Sequence, residues 1–173
     1  MERERTRVRE KGSLTENYYE RFLRSRAEFA DRQNKGPVVV KAKDRDVHLT
    51  RQGRITYLLD TLSFPDTPLQ DWLVFTHDIR TNSGKHRHQG GLVIYVIKGK
   101  GYSVVDGERI DWKAGDLLLL PMKPEGVEHQ HFNLDPTIPC EWIAFVHMGI
   151  YDYLAAEITQ GEVSPEFAAA NRG

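Results

Sequence analysis

Between residues 38 and 147 the chain reads as a series of short apolar runs. Val38-Val39-Val40, Ile55–Leu59, Trp72–Thr76, Val93–Ile97, Gly101–Val105, Leu117–Leu120 and Trp142–His147 are the candidates. Turn signals stand between them: Gly99-Lys100-Gly101, Asp106-Gly107 and Ala114-Gly115-Asp116. Runs this short, rich in β-branched and aromatic residues and bounded by glycine and aspartate, predict strands. No helix-length segment separates the central runs, which argues against a parallel α/β sheet. An all-β antiparallel sandwich or barrel is the expected architecture.

The period changes upstream. Ser13 and Glu16 have capping-box spacing. Tyr18, Tyr19, Phe22, Leu23, Arg26, Phe29 and Ala30 then share one mostly apolar face of a helix over 14–34, which Gly36-Pro37 stops. Such a face packs on the outside of a sheet or at a subunit interface. Residues 1–12 are charged and aperiodic, and read as a solvated arm. Residues 151–160 predict a short C-terminal helix. The organisation is therefore an arm and N-terminal helix (1–36), a β domain with a C-terminal helix (37–160) and a tail (161–173).

Composition narrows the class without changing the picture. A chain of 173 residues suits one domain, and 39% apolar with 28% charged residues suits a soluble globular protein. The formal net charge of −1 carries no global nucleic-acid footprint. No apolar run is long enough for a bilayer, and Met1-Glu2-Arg3-Glu4-Arg5 does not open a signal peptide. Cys140 is the sole cysteine, which excludes an intrachain disulfide and argues against a cysteine-based zinc site. A cytoplasmic protein without nucleic-acid or membrane partners is the expectation.

The chemistry sits in the histidines. His86 and His88 flank Arg87, and His129 and His131 flank Gln130. Residues i and i+2 of a strand point to one face, so each pair aims two imidazoles into one space. A third imidazole from a neighbouring strand completes a facial metal site with open positions.

The stretch 84–133 resembles the two motifs of the cupin superfamily. The first reads His86-Arg87-His88, Gln89-Gly90-Gly91, Leu92, then six residues to Gly99. The second reads Gly115, five residues, Pro121, then Gly126-Val127-Glu128-His129-Gln130-His131-Phe132-Asn133. The gap from Pro121 to Gly126 is three residues longer than the common pattern, and Arg80 replaces the glycine usual ahead of the first histidine. The resemblance implies a double-stranded β-helix, the cupin jelly roll, with a metal held by His86, His88 and His129, and commonly a homodimer.

Leu92 is the informative departure, because most metal-binding members of that superfamily carry a glutamate there. Residues 86, 88 and 92 share parity, so Leu92 also faces inward and cannot ligate a metal. Three neutral imidazoles leave a dication uncompensated and leave positions for dioxygen or a bidentate, anionic substrate. This pattern, with the following Tyr-Val-Ile-Lys-Gly-Lys-Gly, is similar to the gentisate and salicylate dioxygenase branch, whose members often carry two such domains in a longer chain. That resemblance implies Fe(II), dioxygen and ring cleavage of a small hydroxylated aromatic acid. Imidazole sites also accept Zn, Ni or Mn.

Secondary positions follow. His131 is expected as a catalytic proton carrier, or as a fourth ligand. Arg80 is the preferred cation for an anionic substrate, ahead of Arg54 and Lys123. Tyr95 and Trp142 are expected against its ring, with Tyr57, Tyr102 and Phe75 as further aromatics. His77 and His147 close predicted strands, and structure is the ordinary reading of each. Two other functions stand beside the dioxygenase: a redox-neutral lyase, isomerase or decarboxylase, and a non-catalytic ligand-binding protein.

Overall fold

The computed structural model describes residues 17–89, 91–153 and 157–172. In chain order the elements are α1 (Tyr18–Lys35), a 3₁₀ turn (Ala42–Asp44), β1 (Val47–Thr50), β2 (Gly53–Leu59), β3 (Trp72–Ile79), β4 (Lys85–His88) and β5 (Leu92–Lys98). They continue with β6 (Lys100–Val105), β7 (Glu108–Lys113), β8 (Leu117–Leu120), β9 (Val127–Asn133), β10 (Cys140–His147), α2 (Met148–Tyr153), β11 (Thr159–Glu162) and α3 (Pro165–Ala170). No described helix is long and apolar enough to cross a membrane.

Two antiparallel sheets make the jelly roll. One has the order β1-β2-β3-β10-β5-β8 and the other β11-β4-β9-β6-β7. Period-two alternation builds the interior. Cys140, Trp142, Ala144 and Val146 of β10 point in, as do Leu92, Ile94 and Val96 of the adjacent β5. With Ile79, Trp112, Leu118 and Leu120 they form a single apolar core. The opposite parity of β5 and its partner β8 leaves Val93, Tyr95, Leu117 and Leu119 on the outer face.

Four elements differ from expectation. Val38 and Val39 are 94% and 71% exposed and form no strand. They are β-branched, but no partner strand lies beside them; the first strand instead forms at Val47–Thr50, paired with β2. The C-terminal helix begins earlier, at Met148, and Thr159 and Gln160 are strand, paired with Arg87 and His86 of β4. The segment expected as a loose tail continues β11 and then forms α3, where Ser164 accepts a hydrogen bond from the Phe167 N–H at 3.3 Å. Finally, α1 buries no residue. Its aromatics Tyr18, Tyr19, Phe22 and Phe29 stay exposed, and Phe29 lies between the Arg26 and Arg32 guanidinium groups, 5.0 and 5.9 Å from its centroid. The helix is capped by Asn17, whose Oδ1 accepts from the Glu20 N–H at 2.9 Å; the expected box at Ser13 and Glu16 lies outside the described residues.

Asn133 shows how a motif residue serves the frame. Its amide donates to the carbonyls of Arg80 and Ile138 at 3.0 and 2.9 Å, and its Oδ1 accepts from the Asp135 N–H. It ties the end of β9 to the loop before β4 and to the turn before β10.

Gly101, at the start of β6, has no room for a side chain. The space a Cβ needs is taken by the Phe132 carbonyl oxygen and the Trp112 ring. Gly101→Ala is expected to destabilise the fold by about 1–3 kcal/mol, the usual cost of overpacking, read as a lower urea midpoint with an unchanged slope.

Candidate metal centre and its cavity

The centre is made by register. In the β4–β9 pair His86 stands opposite His129, with His88 opposite Val127. The ring centroids of His86 and His129 lie 4.2 Å apart, those of His88 and His129 4.9 Å, and those of His86 and His88 5.3 Å. One nitrogen from each ring falls within 4.8 Å of the others, among the described residues the one such group of potential metal ligands. Leu92 lines the same space from the facing sheet, as its parity predicts.

Local bonding prepares these rings as ligands. His129 Nδ1 lies 3.1 Å from the Val127 carbonyl, which can only accept, so Nδ1 carries the proton and Nε2 the lone pair. That Nε2 is buried with no partner, as is Nδ1 of His86. A buried lone pair without a donor costs free energy unless something fills it. A divalent cation fits this donor set, and a backbone carbonyl orienting a ligating imidazole is a recurrent arrangement.

His86 and His129 are held neutral. Burial, then the nearby His88, pushes His86 down to about 4, against a weaker opposing hydrogen bond with Gly84. His129 lies well below the usual histidine range through burial and the charges of His86, His131 and His88. His131 is lowered through burial, then His77 and His86. His77 falls to about 3 through burial and His86, partly offset by a backbone hydrogen bond with Gln52. Ligation at neutral pH therefore displaces no proton from the rings.

A cavity of about 200 Å³ opens over the cluster. Its wall is histidine at one side and mostly apolar elsewhere, with Tyr57, Leu73, Phe75, Trp142, Val146 and Met148 among the lining residues and Gln52 and Ser83 as uncharged polar ones. No described lining residue carries a formal charge at neutral pH. Arg80, expected as the cation, is exposed and pairs with Asp78 at 3.6 Å. The parity count that favoured it crosses an irregular loop, where alternation carries no information. Arg54 pairs with the same carboxylate at 3.5 Å, and Lys123 is held by Asp106 at 2.7 Å. Tyr95, expected at the substrate, lies on the outer face, because Leu92, Ile94 and Val96 take the inward parity of β5. Trp142 is in the wall as expected, edge-on to His77 and His131 with centroids 4.8 and 5.2 Å away.

His131 lines the cavity, outside the three-ring group, with its Nδ1 2.7 Å from Ser103 Oγ. His77 also lines it and is 2% exposed. Gly53 admits it: the place of a Cβ on residue 53 is occupied by His77 Nε2, and φ is +134° there. Alternation through Leu73, Phe75, His77 and Ile79 was the sequence signal for His77. His147 instead pairs with Asp71 at 3.2 Å outside the cavity, and His48 is exposed. Cys140 is buried with its thiol pushed up, an inert core group.

Residues 74–146 match the cupin domain family model. The chain is 33% identical over 72 residues to a gentisate 1,2-dioxygenase of a Ralstonia species, covering 41% of this chain and 19% of that protein. In structure it is similar to salicylate 1,2-dioxygenase from Pseudoaminobacter salicylatoxidans, solved with gentisate, at a TM-score of 0.52 and 16% identity over 77% of this chain and 35% of that one. It is also similar to a Streptomyces nucleoside dehydratase solved with uridine, at a TM-score of 0.53 and 12% identity over 75% and 94%. The chain spans about a fifth of the curated relative and about a third of the salicylate enzyme. The barrel thus carries the match to the cupin domain model and resembles the gentisate and salicylate dioxygenase branch.

The depressed histidines give the metal-free protein a defined acid sensitivity. Unfolded histidines titrate near 6.5, while His86 and His77 in the fold do so at about 4 and about 3. Between those values the unfolded chain binds more protons, so stability is complete above pH 6.5 and declines as pH falls toward 4 and then 3. Thermal melts of chelator-treated protein should be flat above pH 7 and show a falling midpoint through that window. A midpoint constant from pH 7 to pH 4 would contradict the burial assigned to these rings.

Proposed function

We propose that this cupin domain holds a divalent metal on His86, His88 and His129 and works as a non-haem dioxygenase on a small chelating substrate. Fe(II) is the metal favoured by the likeness to the gentisate and salicylate enzymes; Zn, Ni and Mn suit the same ligands. The observation that carries the reading is Leu92 in the wall beside three neutral imidazoles. The protein supplies three nitrogens and no carboxylate, so a bound dication keeps its charge and its open positions for an anionic chelate. When bound, the metal supplies Lewis acidity and a place for dioxygen beside the substrate.

The chain's own residues then have separate tasks. His86, His88 and His129 orient lone pairs at one point. Trp142, Phe75 and Leu92 enclose an apolar body and exclude water from it. An engineered cavity of about 150 Å³ holds benzene, so about 200 Å³ suits one substituted aromatic ring. A hydroxylated aromatic acid, chelating through hydroxyl and carboxylate, matches that size and supplies the missing negative charge. No described lining residue is cationic, so the metal answers that charge. His131 is the group placed to exchange a hydrogen bond or proton with the substrate.

Two further parts of the proposal concern the environment and assembly. The protein works in the cytoplasm as a homodimer, in which a second copy covers Val93, Tyr95, Leu117 and Leu119. Those side chains form one exposed apolar stripe on the outer sheet face, and β8, which carries two of them, is the sheet's end strand with one backbone edge unpaired.

Anaerobically purified protein should contain close to one divalent metal per chain, and His86→Ala or His129→Ala should cut that to below about a tenth, while Arg80→Ala and Tyr95→Ala leave it unchanged. Iron-loaded protein should consume oxygen with at least one of a panel of hydroxybenzoates and catechols. Absence of metal would end the enzyme reading, and turnover without oxygen uptake would move it to a redox-neutral reaction. Light scattering should give twice the chain mass, shifted toward the monomer by Leu119→Arg.

A further inference from the structure

Behind His131 runs a hydrogen-bonded chain that no step above has used. Trp112 Nε1 lies 2.8 Å from Ser103 Oγ, and Ser103 Oγ lies 2.7 Å from His131 Nδ1. Ser103 is 0%, His131 2% and Trp112 5% exposed, so water does not complete the pattern. The three residues come from neighbouring strands of one sheet: Ser103 stands opposite His131 in the β6–β9 pair and opposite Ile110 in the β6–β7 pair, two residues before Trp112.

The direction of these bonds follows from the donors. An indole nitrogen can only donate, so Trp112 fills one lone pair of Ser103 Oγ. The serine hydroxyl hydrogen then needs an acceptor, and His131 Nδ1 is the acceptor beside it. The reverse arrangement, with His131 Nδ1–H donating, leaves that buried hydroxyl hydrogen unpaired, which is the costly alternative. His131 Nδ1 therefore accepts, and the proton of the neutral ring sits on Nε2. Ser103 lies outside the cavity wall and His131 lies in it, so the ring edge carrying Nε2–H faces the cavity.

We propose that Ser103 and Trp112 are positioning residues that lock His131 as an Nε2–H donor, making it a recognition group for an uncharged acceptor oxygen on the substrate and excluding it as a fourth metal ligand. The substrate class narrows accordingly, to a chelating aromatic whose part remote from the metal bears a carbonyl, ether or phenol oxygen and no second carboxylate. Among the described residues no cation lines the cavity to meet an anion, Arg80, Arg54 and Lys123 being engaged outside. The substrate half of this inference rests on the metal-centre reading above; the tautomer half does not.

Two measurements test it. Long-range proton–nitrogen correlation spectra of ¹⁵N-histidine protein, metal-free and zinc-loaded, should show His131 with a bare Nδ1 and a protonated Nε2 in both states. Ser103→Ala should mix the two tautomers at His131 while leaving the His129 pattern unchanged, an effect that simple loosening of the core would not confine to one ring. A protonated Nδ1 in the wild type, or loss of the Nε2 proton on zinc loading, overturns the proposal. The second measurement is binding, followed by tryptophan fluorescence under nitrogen on iron-loaded protein, of salicylates bearing a formyl, methyl or carboxylate group at ring position 4 or 5. The formyl compound at one of these positions should bind about tenfold more tightly than its methyl and carboxylate counterparts, and Ser103→Ala should erase most of its advantage over methyl. Equal or tighter binding of the dicarboxylates overturns the substrate class. Protein that takes up no metal overturns both that class and the metal-centre reading, and leaves the tautomer result to stand or fall by its own spectra.

Discussion

Everything at the centre depends on the pairing of β4 with β9. That ladder sets His86 against His129 and, through the two-residue repeat, carries His88 and His131 to the same interior. A slip of β4 by one residue would turn His86 and His88 out and bring in Arg87. The register is held by more than the ladder. Arg87 donates to the carbonyls of Glu125 and Gly126 on the outside, and Asp106 accepts from the Glu128 N–H. The Gln130 amide donates to the Ser83 carbonyl, whose hydroxyl in turn accepts from the His131 N–H.

That register has an electrostatic consequence. Five histidines are packed where charge is expensive, and His77, His86, His88 and His131 each lower a neighbouring ring's affinity for protons. The interior thus stays uncharged until a cation enters. Leu92 keeps it so by filling with carbon the position where a carboxylate would neutralise the cation. On the proposed function, compensation is left to the small anion that chelates the metal, while the apolar wall selects the body of that molecule. Charge at one end and carbon around the rest is the division of labour the cavity imposes.

Much of this was legible in the sequence, for reasons that differ by residue. The inward facing of His86, His88, Leu92 and His129 followed from strand parity, since they lie within or directly beside regular strands, while the preference for His129 over His131 came from the cupin resemblance. Tyr95 was misplaced although the same rule excludes it: if Leu92 points in, Tyr95 points out. Arg80 failed for another reason, since alternation ends at Ile79 and the loop to Lys85 follows its own hydrogen bonds. β11 was missed because Thr159–Glu162 carries almost no apolar signal; it is a strand through its backbone bonds to β4. Val38-Val39-Val40 shows the converse, strong β propensity with no neighbour to pair with.

The sequence by itself determined the all-β frame, the turns and the set of inward-facing histidines, because those are local matters of alternation, glycine placement and spacing. Only the tertiary structure decided what stands around that set. The Trp112–Ser103–His131 chain joins residues from three strands, and the absence of cations from the wall depends on which carboxylates capture Arg54, Arg80 and Lys123 elsewhere. Such pairings arise when separate strands close into a barrel, and no periodicity within one strand encodes them.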